Sequence, residues 1–282
     1  MTVLADVASL TKPKITLLNI GSAVSCFFLA GGGPEGAALL FLVGYLASGG
    51  ASALNNYLDR DLDGLMKRTA GRPLPRGRVP ARLALTLGLL FSASSVALAA
   101  SVFNPLTALM IVGGIVSYVV VYTILLKRRT EWNIVIGGVA GSFPPLAGWA
   151  AASGSIGLPA VLVALLVFLW TPGHFWALAL RAERDYRSAQ LPMLPATRGA
   201  DYAVKAIAAS NALMLLGWAA LSLVMSLPML FLMVTAPLTA LIAYYTAALS
   251  LRRRREDSWR LFKASSPWLL FVQIGVSLAR VA

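Results

Sequence analysis

Residues 36–63 read GAALLFLVGYLASGGASALNNYLDRDLD: nineteen residues without a charge run directly into nine that hold one arginine and three aspartates. The first part suits a helix crossing about 30 Å of hydrocarbon, which takes about 20 apolar residues. The second part belongs at the water interface, because an aspartate at the bilayer centre costs about 3 kcal/mol even on the most lenient scale. The stretch reads as a membrane helix on its way out of the bilayer. Comparable apolar runs recur near 15–31, 36–54, 84–101, 106–126, 133–152, 158–180, 204–226, 228–250 and 264–281. Only 12% of the 282 residues are charged and 58% are hydrophobic, with a mean hydropathy of +0.76, far from the roughly 25% charged content of soluble domains. The expected fold is an all-α membrane protein of nine transmembrane helices, forming one domain over 1–282, because no polar stretch is long enough for a separate soluble unit.

Twenty-four basic residues against 11 acidic ones leave a net charge of +13. Alternating nine spans from a cytoplasmic N-terminus puts 23 of the 24 basic residues on one side and leaves Arg280 alone on the other, with the C-terminus outside. Such asymmetry is the positive-inside signature. It accounts for the charge as a face toward anionic lipid, with no nucleic acid partner. No cleaved leader is expected, since the first run lacks a small-residue cleavage site and leads into another span, and no Arg/Ser-rich transit region precedes it. A multi-pass protein of a bacterial or archaeal cell membrane is expected. Cys26, the single cysteine, has no intrachain partner.

Outer connections such as Gly31–Gly36, Ser101–Asn104 and Ser226–Pro228 are short, whereas the inner ones at 55–82 and 181–203 are long. Five of the 11 acids fall in two inner places: Asp59, Asp61 and Asp63 after the second run, Glu183 and Asp185 after the sixth. At about 100° per residue, positions 55, 59 and 63 advance by about 40° per step, so Asn55, Asp59 and Asp63 share a helix face. Asn56 lies near that face, and Arg60 and Asp61 point elsewhere. Hard oxygen ligands of this kind suit Mg²⁺, which keeps several waters and binds substrate phosphates. Lys67, Arg68, Arg72, Arg76 and Arg78 follow directly in MKRTAGRPLPRGR. Arg forks and Lys point charges match a diphosphate, for which Lys12, Arg68, Arg72, Lys127 and Arg128 are the candidate binders. His174, the only histidine, follows Pro172-Gly173, where the helix is expected to break toward a cavity.

The stretch NNYLDRDLDGLMKRTAGRPL (55–74) resembles the first aspartate motif of the UbiA superfamily of intramembrane prenyltransferases. YTILLKRRTEWNIVIGGVAGSFPPLAGW (122–149), TPGHFWALAL (171–180) and DYRSAQLPMLPATRG (185–199) resemble its protoheme IX farnesyltransferase (heme O synthase) branch. The likeness runs from about Leu10 to Gly199. It implies a UbiA-type bundle and transfer of a farnesyl group from farnesyl diphosphate to a vinyl group of heme B, with Mg²⁺ as cofactor. Downstream heme-modifying or oxidase-assembly proteins are implied partners beside the lipid bilayer. It implies metal ligation by Asn55, Asn56, Asp59, Asp63 and Asp185, with Glu183 as a weaker ligand. Many members carry a DxxxD motif after the sixth span. Here the segment is RAERDYRSA (181–189), and an i,i+4 ion pair of Glu183 with Arg187 competes with ligation. His174 joins the catalytic set with Asn55, Asp59, Asp63 and Asp185, while Tyr118, Tyr122, Trp170, Phe175 and Trp176 are candidates for the acceptor or carbocation pocket. A UbiA-type enzyme for an aromatic quinone precursor is the nearest alternative. A small transporter is a different one, disfavoured because the span interiors hold almost no polar residues.

Overall fold

The computed structural model describes residues 3–278, so Arg280 and the end of the ninth apolar run lie outside the described residues. A short helix α1 (Val3–Leu10) precedes α2 (Pro13–Leu29) and α3 (Pro34–Leu58), and α4 (Arg60–Leu65) follows after a single residue. Helices α5 (Ala81–Leu98) and α6 (Pro105–Ile115) each continue into a π-helical segment, Ala99–Phe103 and Val116–Leu126. Helix α7 (Asn133–Gly137) passes through a 3-10 turn, Gly138–Ser142, into α8 (Phe143–Ser153). Then come α9 (Leu158–Arg181), α10 (Glu183–Ser188), α11 (Leu194–Arg198), α12 (Ala200–Val224), α13 (Met229–Arg252) and α14 (Arg255–Leu278). Every regular element among the described residues is helical.

Helix starts follow from the sequence. Proline occupies one of the first two positions of α2, α3, α6 and α9, where its missing N–H is not needed and its fixed φ suits the helix. Asn104 caps α6, its Oδ1 accepting the Thr107 N–H at 2.9 Å. Pro172, however, does not break α9, which runs unbroken from Leu158 to Arg181. A neighbouring helix supports it there: Ser210 Oγ of α12 donates to the Leu169 carbonyl at 3.2 Å, just before the proline, the kind of partner that lets a membrane helix carry proline, and Gly173 lies against Asn211 and Ser210. The expected break comes later, at Ala182.

Among the described residues seven helices are long and apolar enough to cross a membrane: Pro34–Leu58, Ala81–Phe103, Pro105–Leu126, Asn133–Ser153, Leu158–Arg181, Ala200–Val224 and Met229–Arg252. Of the nine runs expected, the first and last fall short of this standard. Helix α2 has only 17 residues, and α14 opens with Arg255, Glu256, Asp257, Arg260 and Lys263. Both are nonetheless integral to the bundle. Helix α3 packs on α5 and α2, α2 on α8, α8 on α9, and α9 on α12 and α14, while α14 returns to α2, so that α2, α8, α9 and α14 close a ring.

Large apolar side chains such as Leu216, Leu223, Met229 and Met233 face outward, while Thr16, Ser95, Thr107 and Thr235 are buried. That inversion suits lipid, in which helices associate through close packing and interhelical hydrogen bonds. Trp268 donates to Thr239 Oγ1 at 2.8 Å and Asn211 to Thr246 Oγ1 at 2.8 Å. At Gly148 a Cβ would fall on the Ala23 carbonyl of α2, so this glycine sets the approach of α8 to α2.

Polar connections gather at one end of the ring. Glu131 Oε2 accepts from Thr197 and Oε1 from Arg198, each at 2.8 Å. Arg255 pairs with Glu183 at 2.7 Å, and Arg253 pairs with Asp201. At the same end, Arg78 forks onto buried Asp6 at 2.9 and 3.1 Å, fastening α1 over the connection between α4 and α5.

Candidate active site

Helix α3 ends at Leu58 and is capped by Asp59, at φ −93° and ψ 2°, yet the i,i+4 register passes through the break. Asp59 N–H donates to the Asn55 carbonyl at 2.9 Å, and Asp63 N–H to the Asp59 carbonyl at 2.8 Å. Asn55, Asp59 and Asp63 therefore stay in line, and all three are buried. Asn55 Nδ2 donates to Asp59 Oδ2 at 2.8 Å and to Thr123 Oγ1 at 3.0 Å.

Cations from three separate elements close on this row. Lys12 Nζ donates to Asn55 Oδ1, and to the Tyr118 hydroxyl at 3.2 Å. Lys127 pairs with Asp59 Oδ2, and Arg72 with Asp63 Oδ2 at 2.6 Å. Burial pushes the Lys12 amine down to about 8, with the Arg72 charge acting in the same sense and Asp59 and Asp63 opposing it. Lys12, Asn56, Arg68, Arg72 and Arg78 line a cavity of about 330 Å³ beside the row.

Asp59 Oδ1 is buried with no hydrogen-bond partner, a costly state for a carboxylate oxygen. Among the described residues no three His, Cys, Asp or Glu side chains converge enough to enclose a metal. An open set of oxygen donors with one oxygen unspent fits a hard cation that draws its remaining ligands from water and substrate phosphate. Mg²⁺ fits these residues.

The π segment Val116–Leu126 supplies the wall opposite the row. Tyr118 and Tyr122 stack with ring centroids 6.0 Å apart and an interplanar angle of 8°. Lys12 lies 5.8 Å from the Tyr118 ring centre and Lys127 5.9 Å from that of Tyr122. In an α-helix Lys127 would be turned about 180° from Tyr118, nine residues at about 100° each. A π ladder bonds i to i+5 and returns to a face about every four to five residues, so Tyr118, Tyr122, Thr123 and Lys127 all look the same way. Lys127 N–H donates to the Tyr122 carbonyl at 2.8 Å in that pattern. Thr123 was not among the expected site residues, because α-helical periodicity hides it.

The second acidic group divides. Asp185 Oδ2 accepts the Arg68 backbone N–H at 3.1 Å, and Arg68 Nη2 donates to the Tyr186 hydroxyl at 3.4 Å, so Asp185 meets the connection that follows the first group. Glu183 instead has one oxygen on Arg187 at 2.8 Å and the other on Arg255 at 2.7 Å. Both Glu183 oxygens are thus held by guanidinium groups, Arg187 in the expected i,i+4 pair. Arg128 likewise faces away from the row, forking onto exposed Asp61 at 2.9 Å through both oxygens. This pair holds the Asp61 carboxyl below its ordinary range, chiefly through the Arg128 hydrogen bond. Asn56 turns aside too, donating to the Leu10 carbonyl at 2.8 Å to anchor α1.

His174 lies apart from the acidic row. Its ring stacks on Trp170 at 4.1 Å and on Phe262 at 4.5 Å, and Nδ1 meets Ser265 Oγ at 2.6 Å. Trp170 Nε1 donates to the Ser265 carbonyl at 3.0 Å. Phe175 is half-buried and Trp176 buried within the bundle core. Of the five aromatic candidates, Tyr118 and Tyr122 adjoin the acidic row, and Trp170 adjoins His174.

Residues 19–272 match the UbiA prenyltransferase family. The chain is 38% identical over 281 residues to protoheme IX farnesyltransferase 1 of Cenarchaeum symbiosum, covering 97% of this chain and 95% of that one. It is 43% identical over 283 residues to a protoheme IX farnesyltransferase of Roseiflexus castenholzii, covering 98% of this chain but about half, 52%, of that longer protein. Among solved structures, a UbiA homolog from Archaeoglobus fulgidus bound to DMAPP and Mg²⁺ superposes with a TM-score of 0.70 at 18% identity, covering 97% of this chain and 99% of that one.

Proposed function

The chain belongs to the UbiA prenyltransferase family, in its protoheme IX farnesyltransferase branch, and from that premise we propose that it joins the farnesyl group of farnesyl diphosphate to a vinyl carbon of protoheme IX (heme B), giving heme O. It is a transferase of prenyl groups. The observation that carries the proposed chemistry is the Asn55–Asp59–Asp63 row, with its spare Asp59 oxygen and its fringe of Lys12, Arg72 and Lys127.

Asp59, Asp63 and Asn55, with Asp185 across the connection, would hold Mg²⁺, which when bound offsets the negative charge of the diphosphate. Arg72 and Lys127 would turn from Asp63 and Asp59, and Lys12 from Asn55, to phosphate oxygens when the donor substrate arrives, and Arg68 adds a further cation. Their task is to stabilise the leaving diphosphate as the allylic C–O bond breaks, an electrostatic role in which one lost donor costs about 10²–10³ in rate. The stacked faces of Tyr118 and Tyr122 stabilise the farnesyl cation. The vinyl carbon then attacks this cation, and water closes the macrocycle-side cation to an alcohol with release of a proton. His174, seated between Trp170 and Phe262, positions the acceptor.

The same reading places α2 and α14 as the two further spans of a nine-helix bundle forming one domain. The N-terminus and the site face the cytoplasm of a cell membrane, a placement supported by the 23 basic residues on one side. Membranes containing the protein, incubated with farnesyl diphosphate, Mg²⁺ and either heme B or 4-hydroxybenzoate, will yield heme O by mass analysis. A farnesylated hydroxybenzoate without heme O would overturn the acceptor assignment.

A further inference from the structure

A second cavity, of about 860 Å³, opens between the connection after α4, the α9–α10 corner and the start of α14. Its size falls within the ~300–1,000 Å³ of ordinary ligand sites. Arg68 lines both this cavity and the smaller one beside the acidic row, so the two are neighbours across one side chain. Lys67, Arg181, Arg184 and Arg255 line it with apolar Trp259, and Asp185 is the one acid. Arg255 is committed to Glu183, but Lys67, Arg181 and Arg184 have no acidic partner among the described residues. The corner at Ala182, φ −102° and ψ 23°, separates Arg181 from Arg184. From the cavity a column of rings leads into the bundle: Trp259 stacks on Phe262 at 5.2 Å, Phe262 on His174 at 4.5 Å, and His174 on Trp170 at 4.1 Å.

Building on the acceptor assigned above, we propose that this cavity is the docking site for the porphyrin's two propionates, held by Arg181, Arg184 and Lys67, with the flat macrocycle against Trp259 at the head of the aromatic column. A dianionic, planar, largely apolar molecule needs forked cations at one edge and ring faces along its plane. The adjoining water interface would also admit an anionic lipid headgroup, which offers the same charge.

The test uses the purified full-length protein in nanodiscs of zwitterionic lipid, with heme binding followed by Soret absorbance and turnover by mass analysis. Protoheme is compared with its dimethyl ester, in which both carboxylates are masked. Wild type binds the ester at least tenfold more weakly. The Arg181→Gln/Arg184→Gln variant binds protoheme at least tenfold more weakly, keeps its KM for farnesyl diphosphate, and shows no further loss with the ester. Equal binding of protoheme and ester by wild type overturns the proposal without any variant. So does a variant loss of equal size for both ligands, or a loss that appears only in nanodiscs containing anionic lipid. A wild type that prenylates another acceptor and binds neither porphyrin refutes the acceptor assignment itself.

Discussion

Replacing Asp59 by Asn keeps the shape of the side chain and removes its charge, which separates two roles the carboxylate holds at once. Asp59 is 1% exposed, and its Oδ2 accepts from Asn55 and pairs with Lys127, itself 9% exposed. Removing one member of a buried pair strands the other, at a cost of about 3–5 kcal/mol. The substitution also removes the oxygen donor with spare capacity, for which loss of one preorganised electrostatic partner predicts at least about a 10² fall in rate. Adding Lys127→Met removes the stranded cation and restores most of the stability, without restoring a donor for the metal. The double variant should therefore unfold at near the wild-type temperature in detergent and remain at least about 10²-fold down in heme O formation. Thermal unfolding monitored by tryptophan fluorescence and product mass analysis give the two readouts. Recovery of activity in the double variant, or Asp59→Asn turnover within threefold of wild type, would refute the assignment of Asp59 as more than a partner for Lys127.

Other substitutions probe different parts of the molecule. Gly148→Leu drives a side chain into the Ala23 carbonyl and should lower stability by about 1–3 kcal/mol or more, so an unchanged unfolding curve would count against that close approach. Arg128→Ala removes an exposed pair with Asp61, worth about 0–1 kcal/mol, and a hydrogen bond to the Leu58 carbonyl, and should leave prenyl transfer within threefold of wild type; a tenfold loss would place Arg128 on the diphosphate after all. His174→Ala should abolish heme O formation while farnesyl diphosphate binding, measured by calorimetry, is kept; unchanged turnover and heme affinity remove it from the site. The hydrogen bond from Arg198, and then that from Thr197, hold Glu131 below its ordinary carboxyl value. A carboxyl lowered on folding adds stability above its unfolded value, near 4.3, and loses it as pH falls through the folded value. The unfolding-temperature difference between wild type and Glu131→Gln should thus be present at pH 6 and shrink below pH 4. A difference that grows on acidification would reverse the argument.

Much of this molecule is legible from residue order because lipid imposes simple rules. Apolar length places the helices, and basic residues mark one end of the bundle. The spacing of Asn55, Asp59 and Asp63 survives even the change of helix at Asp59, since the hydrogen bonds on either side keep the four-residue step. What escaped were features decided by distant partners. Pro172 reads as a helix break, but α9 is continuous there, with Ser210 of α12, 41 residues away, donating to the Leu169 carbonyl beside it. Glu183 offers the sequence one near partner, Arg187 at i,i+4, and Arg255, 72 residues away, joins it in holding the carboxylate. Asn56 lies beside the acidic face by angle, yet its amide is taken by the Leu10 carbonyl. No pattern in VSYVVVYTILL announces a π ladder, because its branched and aromatic residues suit several backbone forms.

That π ladder has an evolutionary corollary. Val116, Val120, Ile124 and Leu125 lie on its exposed side, where one apolar residue serves as well as another, so drift in identity there is cheap. Drift in number is not. Losing a single residue between Tyr118 and Lys127 would let the segment relax to ordinary α pitch and swing the lysine away from its aspartate, disarming the centre without touching any residue within it. Insertions and deletions in this stretch should therefore be purged where substitutions pass, leaving a segment whose length is inherited more faithfully than its spelling.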